Sequence, residues 1–237
     1  MSRRPAAVRA VLAGLMLLLA LGFVALGIWQ VQRRAWKLDL IERVEAGTRA
    51  APIPAPGPPQ WPGLDVRGSE YRRVAATGRF LHDRETLVQA VTVRGAGFWV
   101  LTPLRTAQGT IMVNRGFVPS DRRDPASRAA GQLGGSVTVI GLIRATEPKG
   151  GFLRTNDPAG RRWYSRDVAA IAAAQGVGPA APFFIDADAT PNPGGWPVGG
   201  LTVLRFNNNH LVYAFTWFAL AGISLAAFFL LWRRKPA

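Results

Sequence analysis

AVLAGLMLLLALGFVALGIWQVQ, the stretch from Ala10 to Gln32, holds 23 residues without a charge between Arg9 and Arg33. At about 1.5 Å per residue, a helix of that length covers the roughly 30 Å hydrocarbon core of a bilayer. A secretory signal peptide is the competing reading, because Arg3, Arg4 and Arg9 form a basic region ahead of the apolar run. The run is too long for the apolar core of such a signal, and it passes through Trp29-Gln30 into Arg33-Arg34 with no small-x-small cleavage site. A membrane span is therefore the expectation.

Working outward, a second charge-free stretch lies at the other end, from Phe206 to Trp232, strictly apolar from Leu211 and closed by Arg233-Arg234-Lys235. Short tails rich in arginine stay cytoplasmic, while a long loop crosses the membrane despite its charges. Both termini are thus expected in the cytoplasm, or in the matrix of a mitochondrion, and the middle in the periplasm or intermembrane space. Arg33, Arg34 and Lys37, close after the first span, pull weakly the other way. Trp29, Trp36, Tyr213, Trp217 and Trp232 are the expected interfacial aromatic anchors.

The chain has 237 residues, a net charge of +15, and no cysteine. Lack of cysteine removes disulfides, thiolate nucleophiles, Cys-ligated zinc, iron–sulfur clusters and thiol-based copper transfer together. Setting aside the six basic residues of the two tails leaves +9 for the middle. That surplus lacks the aromatic and basic interleaving of a strand-binding groove, so no nucleic-acid partner is expected. With 26 arginines to three lysines, the basicity reflects codon composition better than phosphate binding.

Between the spans, Arg33 to Gly47 keeps helical periodicity through Trp36, Leu40 and Val44, with Gly47 as the expected residue past the helix end. Ala50 to Gly63 carries six prolines and reads as a semi-rigid extended spacer, or as a polyproline ligand for a partner. Tyr71–Phe80, Thr86–Val93, Phe98–Arg105, Thr110–Val118 and Val137–Ala145 read as antiparallel strands, with a tight turn at Gln108-Gly109. One short helix is expected over Asp167–Gln175, ended by Gly176, and late strands at Phe183–Asp186 and Leu201–Arg205.

The expected organisation is a tail (1–9), a first span (10–32), a juxtamembrane helix (33–48), a proline-rich linker (49–63), a β-rich domain (64–205), a second span with its interfacial approach (206–232) and a tail (233–237). The fold class is a membrane protein with two transmembrane α-helices flanking a β-rich (α+β) extracytoplasmic domain, a small antiparallel barrel or sandwich with one short helix.

Chemistry-bearing groups are few. His82 and His210 are the only histidines, and neither stands in a Gly-x-Ser-x-Gly setting. Gly194-Gly195 and Gly199-Gly200 lie in a loop around Trp196-Pro197 and cradle no phosphate. Asp186 and Asp188, the nearest thing to a carboxylate pair, read as a solvated strand end, and His82 in Leu81-His82-Asp83-Arg84 reads as an exposed turn histidine. No enzyme working with protein groups alone is expected.

His210 follows Asn207-Asn208-Asn209 and directly precedes the second apolar run. On a helix, Asn207, His210, Ala214, Trp217, Ala221 and Ser224 form one polar-to-small stripe, and Ala13, Ala20 and Gly27 form a seam able to meet it. A polar residue at membrane depth is a functional candidate, and neutral imidazole is the usual iron ligand in haem proteins. The bland alternative is that His210 hydrogen-bonds a lipid headgroup or Gln30. The residues alone leave these two readings open.

Several motifs, in order and between two spans, resemble the Surfeit locus protein 1 family. They are Leu26-Gly27-Ile28-Trp29-Gln30 with Arg33 and Trp36-Lys37; Tyr71-Arg72-Arg73-Val74 with Gly78 and Phe80; Gly97-Phe98-Trp99-Val100-Leu101-Thr102-Pro103-Leu104; Val113-Asn114-Arg115-Gly116-Phe117-Val118-Pro119; and Asn208-Asn209-His210-Leu211 with Tyr213-Ala214 and Thr216-Trp217-Phe218. Phe117, where the family often has Trp, and the long proline stretch depart from the pattern.

The resemblance implies a non-catalytic assembly factor for haem-copper cytochrome c oxidase, in a bacterium's inner (plasma) membrane with its main domain periplasmic. It further implies haem a as transiently bound cargo, with His210 as the cofactor-binding and iron-ligating residue. The implied partners are oxidase subunit I, haem a synthase and membrane lipid. Arg33-Arg34, Arg72-Arg73 and Arg115 could face haem propionates, or could be solvated surface arginines. Two other functions stand beside this one. The first is a scaffold that steadies nascent subunit I without touching haem; the second is a haem-modifying enzyme, which would call for more axial histidines and more spans.

Overall fold

The computed structural model describes residues 4–151, 153–203 and 208–233. Arg205, Phe206, Asn207 and the ends of both tails, with Arg3, Arg234 and Lys235, lie outside the described residues. The chain divides into a helical unit drawn from both ends and a barrel unit, Val44–Leu204.

Helix α1 (Arg4–Arg49) runs unbroken for 46 residues, roughly 70 Å. The span and the juxtamembrane helix are thus one element. Gly47 sits inside it rather than past its end, and the last turn is held by Arg49 with Glu45 at 3.2 Å and by the Thr48 hydroxyl on the Glu45 carbonyl at 2.8 Å.

The barrel unit begins with strand β1 (Ile53–Pro54), followed by β2 (Arg73–Phe80), β3 (Thr86–Thr92), β4 (Gly95–Thr106), β5 (Thr110–Pro119) and β6 (Val137–Ala145). Helix α2 (Val168–Gln175) and β7 (Ala180–Ala187) complete it. The strand order is β1-β2-β6-β7-β5-β4-β3, and a further β2–β4 pairing closes β2, β6, β7, β5 and β4 into a small five-stranded barrel. Closure happens at Gly78, which pairs with Val137 on one side and Thr106 on the other. A Cβ there would lie 2.4 Å from the Arg105 carbonyl oxygen, so only glycine lets β2 change partners at this corner.

Two pairings differ from the all-antiparallel expectation. β5 and β7 run parallel, as do β1 and β2. A parallel partner requires a crossover connection, and the long excursion between β6 and β7, which carries α2, supplies it. The expected late strand at Leu201–Arg205 is not formed over 201–203, and its last residues lie outside the described ones.

Val74, Phe80, Leu104, Ile111, Val113, Ile143, Phe183 and Ile185 fill the barrel. Met112 and Phe184, on the opposite faces of β5 and β7, pack with Val88, Leu101, Trp163, Val168 and Ile171 beneath α2. Both faces of these two strands are covered, so β5 is buried along nearly its whole length, Asn114 and Arg115 included. Asp167 caps α2 by accepting from Ala170 N at 3.2 Å, and Gly176 ends it in the left-handed region at φ 61°.

The proline-rich stretch is not a free spacer. Ile53-Pro54 pairs with Val74-Ala75, Ala55 N donates to the Ala75 carbonyl at 2.9 Å, and Trp61 Nε1 donates to the Pro56 carbonyl at 2.9 Å. Ala55 and Trp61 pack on the barrel core. Proline composition sets φ but says nothing of partners, and here the stiff chain is laid along the part of β2 that β4 leaves unpaired.

His82 is likewise not an exposed turn residue. Its Nε2 donates to the Leu133 carbonyl at 3.0 Å, its ring lies 5.5 Å from that of Phe80, and Nδ1 accepts from Arg115 Nη1 at 3.5 Å. Burial first, and then the charges of Arg115 and Arg128, hold its pKa below the ordinary 6.5, against the opposing Leu133 bond and Glu85. A group whose folded pKa is depressed in this way favours folding in its neutral form. That contribution is full above pH 6.5 and is lost as the pH falls from there through the folded value. The melting midpoint of the full chain in detergent is expected to drop between about pH 7.5 and about pH 5.5, and to drop less in His82→Gln.

Candidate functional site

Helix α3 (His210–Arg233) carries the second apolar run, and among the described residues α1 and α3 are the two helices long and apolar enough to cross a membrane. They pack on each other along a narrow seam. Ala13, Ala20, Gly27 and Gln30 are buried on α1, and Ala214, Ala221 and Ser224 on α3. Small residues let the backbones approach closely. At Gly27 the approach is extreme, because a Cβ there would fall 2.5 Å from the Phe218 ring. The long aliphatic side chains point away from the seam: Val11, Leu18, Leu21, Phe215, Ile223 and Leu230 are exposed. Such a surface suits a hydrocarbon solvent and not water.

Phe23 and Trp217 stack across the seam with centroids 5.7 Å apart. Trp217, read from sequence as an interfacial anchor, is therefore a packing residue, and its indole Nε1 is buried without a partner among the described residues. Trp36 keeps an outward position with the Arg33 guanidinium 4.1 Å above its ring.

At the start of α3, His210 Nδ1 lies 2.7 Å from Gln30 Oε1. Gln30 is 9% exposed. The contact named from sequence as the bland alternative is thus present, yet it occupies one ring nitrogen only, and no second protein partner of the ring is found among the described residues. Asn208, two residues before His210, has its Oδ1 buried without a partner among the described residues. Asn207, expected on the same stripe, lies outside the described residues.

The sequence candidates Arg72, Arg73 and Arg115 belong to the barrel unit. Arg115 is 2% exposed inside the barrel unit, where it donates to the Gly131 carbonyl and to Asn192 Oδ1 and lies over the Phe80 ring. Burial pushes its pKa down to about 10. It is neither a solvated arginine nor one open to a propionate. Arg73 pairs with Asp188 at 3.4 Å, and Arg72 is exposed.

Asp186, read as a solvated strand end, is a buried hub. Asn114 Nδ2 and Arg166 Nη1 donate to its Oδ1 at 2.8 and 3.2 Å, and Arg144 Nη1 and Thr202 Oγ1 to its Oδ2 at 3.0 and 3.1 Å. The hub borders a cavity of about 230 Å³ lined by Trp99, Gly116 and Leu201. No signal local to Asp186 marks it; the two arginines that need a buried partner come from distant segments.

Among the described residues, no group of three or more His, Cys, Asp or Glu side chains stands close enough to hold a metal ion. A bare structural or catalytic ion takes three or more protein ligands. A metalloporphyrin brings its own ring nitrogens and asks the protein for an axial ligand, which is what a single histidine at the mouth of a helix pair can provide.

Comparison with known proteins agrees with the motifs. Residues 17–222 match the SURF1 family. Surfeit locus protein 1 of Rattus norvegicus is 39% identical over 227 residues, covering 89% of this chain and 71% of the relative. The Homo sapiens protein of the same name is 38% identical over 238 residues, covering 93% and 76%. A SURF1-like protein of Monosiga brevicollis is 41% identical over 225 residues, covering 89% and 83%.

Proposed function

This chain belongs to the SURF1 family, and from that premise we propose that it is a non-catalytic assembly factor for haem-copper cytochrome c oxidase, binding haem a through His210 and assisting its insertion into subunit I. The observation that carries the reading is the imidazole at the start of α3, one nitrogen engaged by Gln30 and the other without a protein partner among the described residues. Haem a carries a long isoprenoid tail that partitions into hydrocarbon. A histidine at the end of a lipid-facing helix pair would hold the iron while the tail stays among lipid.

In this reading the protein orients and protects its cargo, and supplies no redox chemistry of its own. The short basic tails would face the cytoplasm, the barrel unit the periplasm, and the two helices would cross the inner membrane, with haem a synthase as donor.

The test is spectroscopic. Full-length protein co-expressed with haem a synthase and purified in detergent is expected to show a haem a Soret band, and His210→Ala to lose it or shift it markedly. An unchanged spectrum in His210→Ala would remove the histidine from the role. Co-purification with subunit I that persists without haem a synthesis, together with a haem-free wild type, would favour a scaffold.

A further inference from the structure

The nitrogen that His210 gives to Gln30 decides which nitrogen remains for a ligand. A side-chain amide oxygen only accepts hydrogen bonds, so a 2.7 Å contact between Gln30 Oε1 and His210 Nδ1 requires the ring proton to sit on Nδ1. A neutral imidazole carries one ring proton, and Nε2 is then the free lone pair. Histidine in water prefers the opposite tautomer, with the proton on Nε2. Left to itself, His210 would mostly place a proton on the very atom that must bind iron.

We propose that Gln30, a residue nine-tenths buried on α1, is the positioning residue of this site: its amide oxygen locks His210 as the Nδ1–H tautomer and leaves the Nε2 lone pair for a ferric or ferrous porphyrin. The inference rests on the haem-binding reading of His210. Gln30 lies three residues beyond Gly27, on the face of α1 that α3 covers, so packing of the seam fixes the amide before any ligand arrives. The low dielectric there strengthens the bond. An amide also does this at lower cost than a carboxylate, since a charge at membrane depth is expensive. The bland and functional readings of His210 thereby become one arrangement.

The other histidine is an internal control. His82 donates from Nε2 to Leu133 and accepts at Nδ1 from Arg115. The chain therefore holds its two histidines as opposite tautomers.

The experiment uses full-length protein, free of haem, with ¹⁵N-labelled imidazoles in detergent micelles. Long-range ¹H–¹⁵N correlation reports each ring's tautomer, and His210→Ala assigns the two spin systems. The expected result is Nδ1–H at His210 and Nε2–H at His82. Gln30→Leu is expected to turn His210 to Nε2–H while His82 stays unchanged, and Gln30→Glu, which keeps an acceptor, to retain Nδ1–H. An Nε2–H His210 in the wild type, or a tautomer indifferent to Gln30→Leu, overturns the proposal.

A haem a titration forms the second arm. Loss of an outer-sphere partner typically costs 10- to 100-fold in affinity, so Gln30→Leu should weaken binding by about that factor. Gln30→Glu should bind and move the midpoint potential negative, as a more basic imidazole would. Should wild type fail to bind haem a through His210, the functional reading falls even where the tautomers are as stated. Should it bind and Gln30→Leu bind equally well at the same potential, only the role of Gln30 falls.

Discussion

Asp186→Ala is expected to destabilise the barrel unit by about 3–5 kcal/mol, the usual loss when one partner of a buried ion pair is removed. The carboxylate is 4% exposed and joins four segments: β5 through Asn114, β6 through Arg144, the strand-to-helix connection through Arg166 and the segment after β7 through Thr202. Without it, Arg144 and Arg166 keep Glu70 and Glu147 respectively, but both guanidiniums lose their shared buried counter-charge. The Asn114 amide loses its acceptor as well. In a unit of this size the thermal midpoint should fall by about 10 °C or more. Asp186→Asn tests the cause: it preserves volume and one acceptor but removes the charge and turns an NH₂ toward a guanidinium, so it should recover little. A carboxamide as stable as wild type would show that hydrogen bonding alone sustains the hub. Fluorescence-monitored melting of full-length protein in detergent measures all three.

That hub marks the limit of what the chain reveals when read along its length. Strand β6 falls at Val137–Ala145, where alternation and flanking turns had put it, because a strand's pattern is local. α2 likewise declares its cap at Asp167 and its stop at Gly176. Asp186 and Arg115 read as surface residues because charge and composition describe a residue and not what surrounds it. Their burial depends on partners tens of residues away, such as Asn192 for Arg115.

The same holds at the candidate site. That His210 is chemically unusual can be seen from its place at the lip of an apolar run. The atom that sets its tautomer sits 180 residues earlier in the chain, and only the packing of a small-residue seam brings it there. Gln30 was visible as a neighbour worth naming but not as a cause. The prolines of residues 52–62 erred the other way, since a strong local signal for stiffness concealed a tertiary role: Trp61 anchors that segment on the barrel.

Arg128→Ala is expected to have an effect of similar size, for a reason that separates geometry from charge. Arg128 and Glu85 form a two-pronged pair whose side chains are 1% and 6% exposed, with Nη1 donating to Oε2 at 2.9 Å and Nη2 to Oε1. That pair ties the irregular segment after β5 to the turn before β3, and within the segment Arg128 also donates from Nε to the Arg122 carbonyl at 3.1 Å. Removing the guanidinium strands a buried carboxylate at the start of β3, at a cost of about 3–5 kcal/mol. Glu85→Leu should cost comparably, because it leaves Arg128 buried near Arg115 with no counter-charge in a neighbourhood where Glu85 is the acid that offsets both. The double variant Arg128→Met/Glu85→Leu removes both charges and fills the space with apolar side chains. It should regain most of the loss, since a buried pair is worth little more than a well-packed apolar replacement. If each single variant melts within a degree or two of wild type, the pair is solvated in solution and the burial argument fails. If the double variant is as unstable as the sum of Arg128→Met and Glu85→Leu measured singly, the two side chains are uncoupled and the charge pairing does not carry the energy.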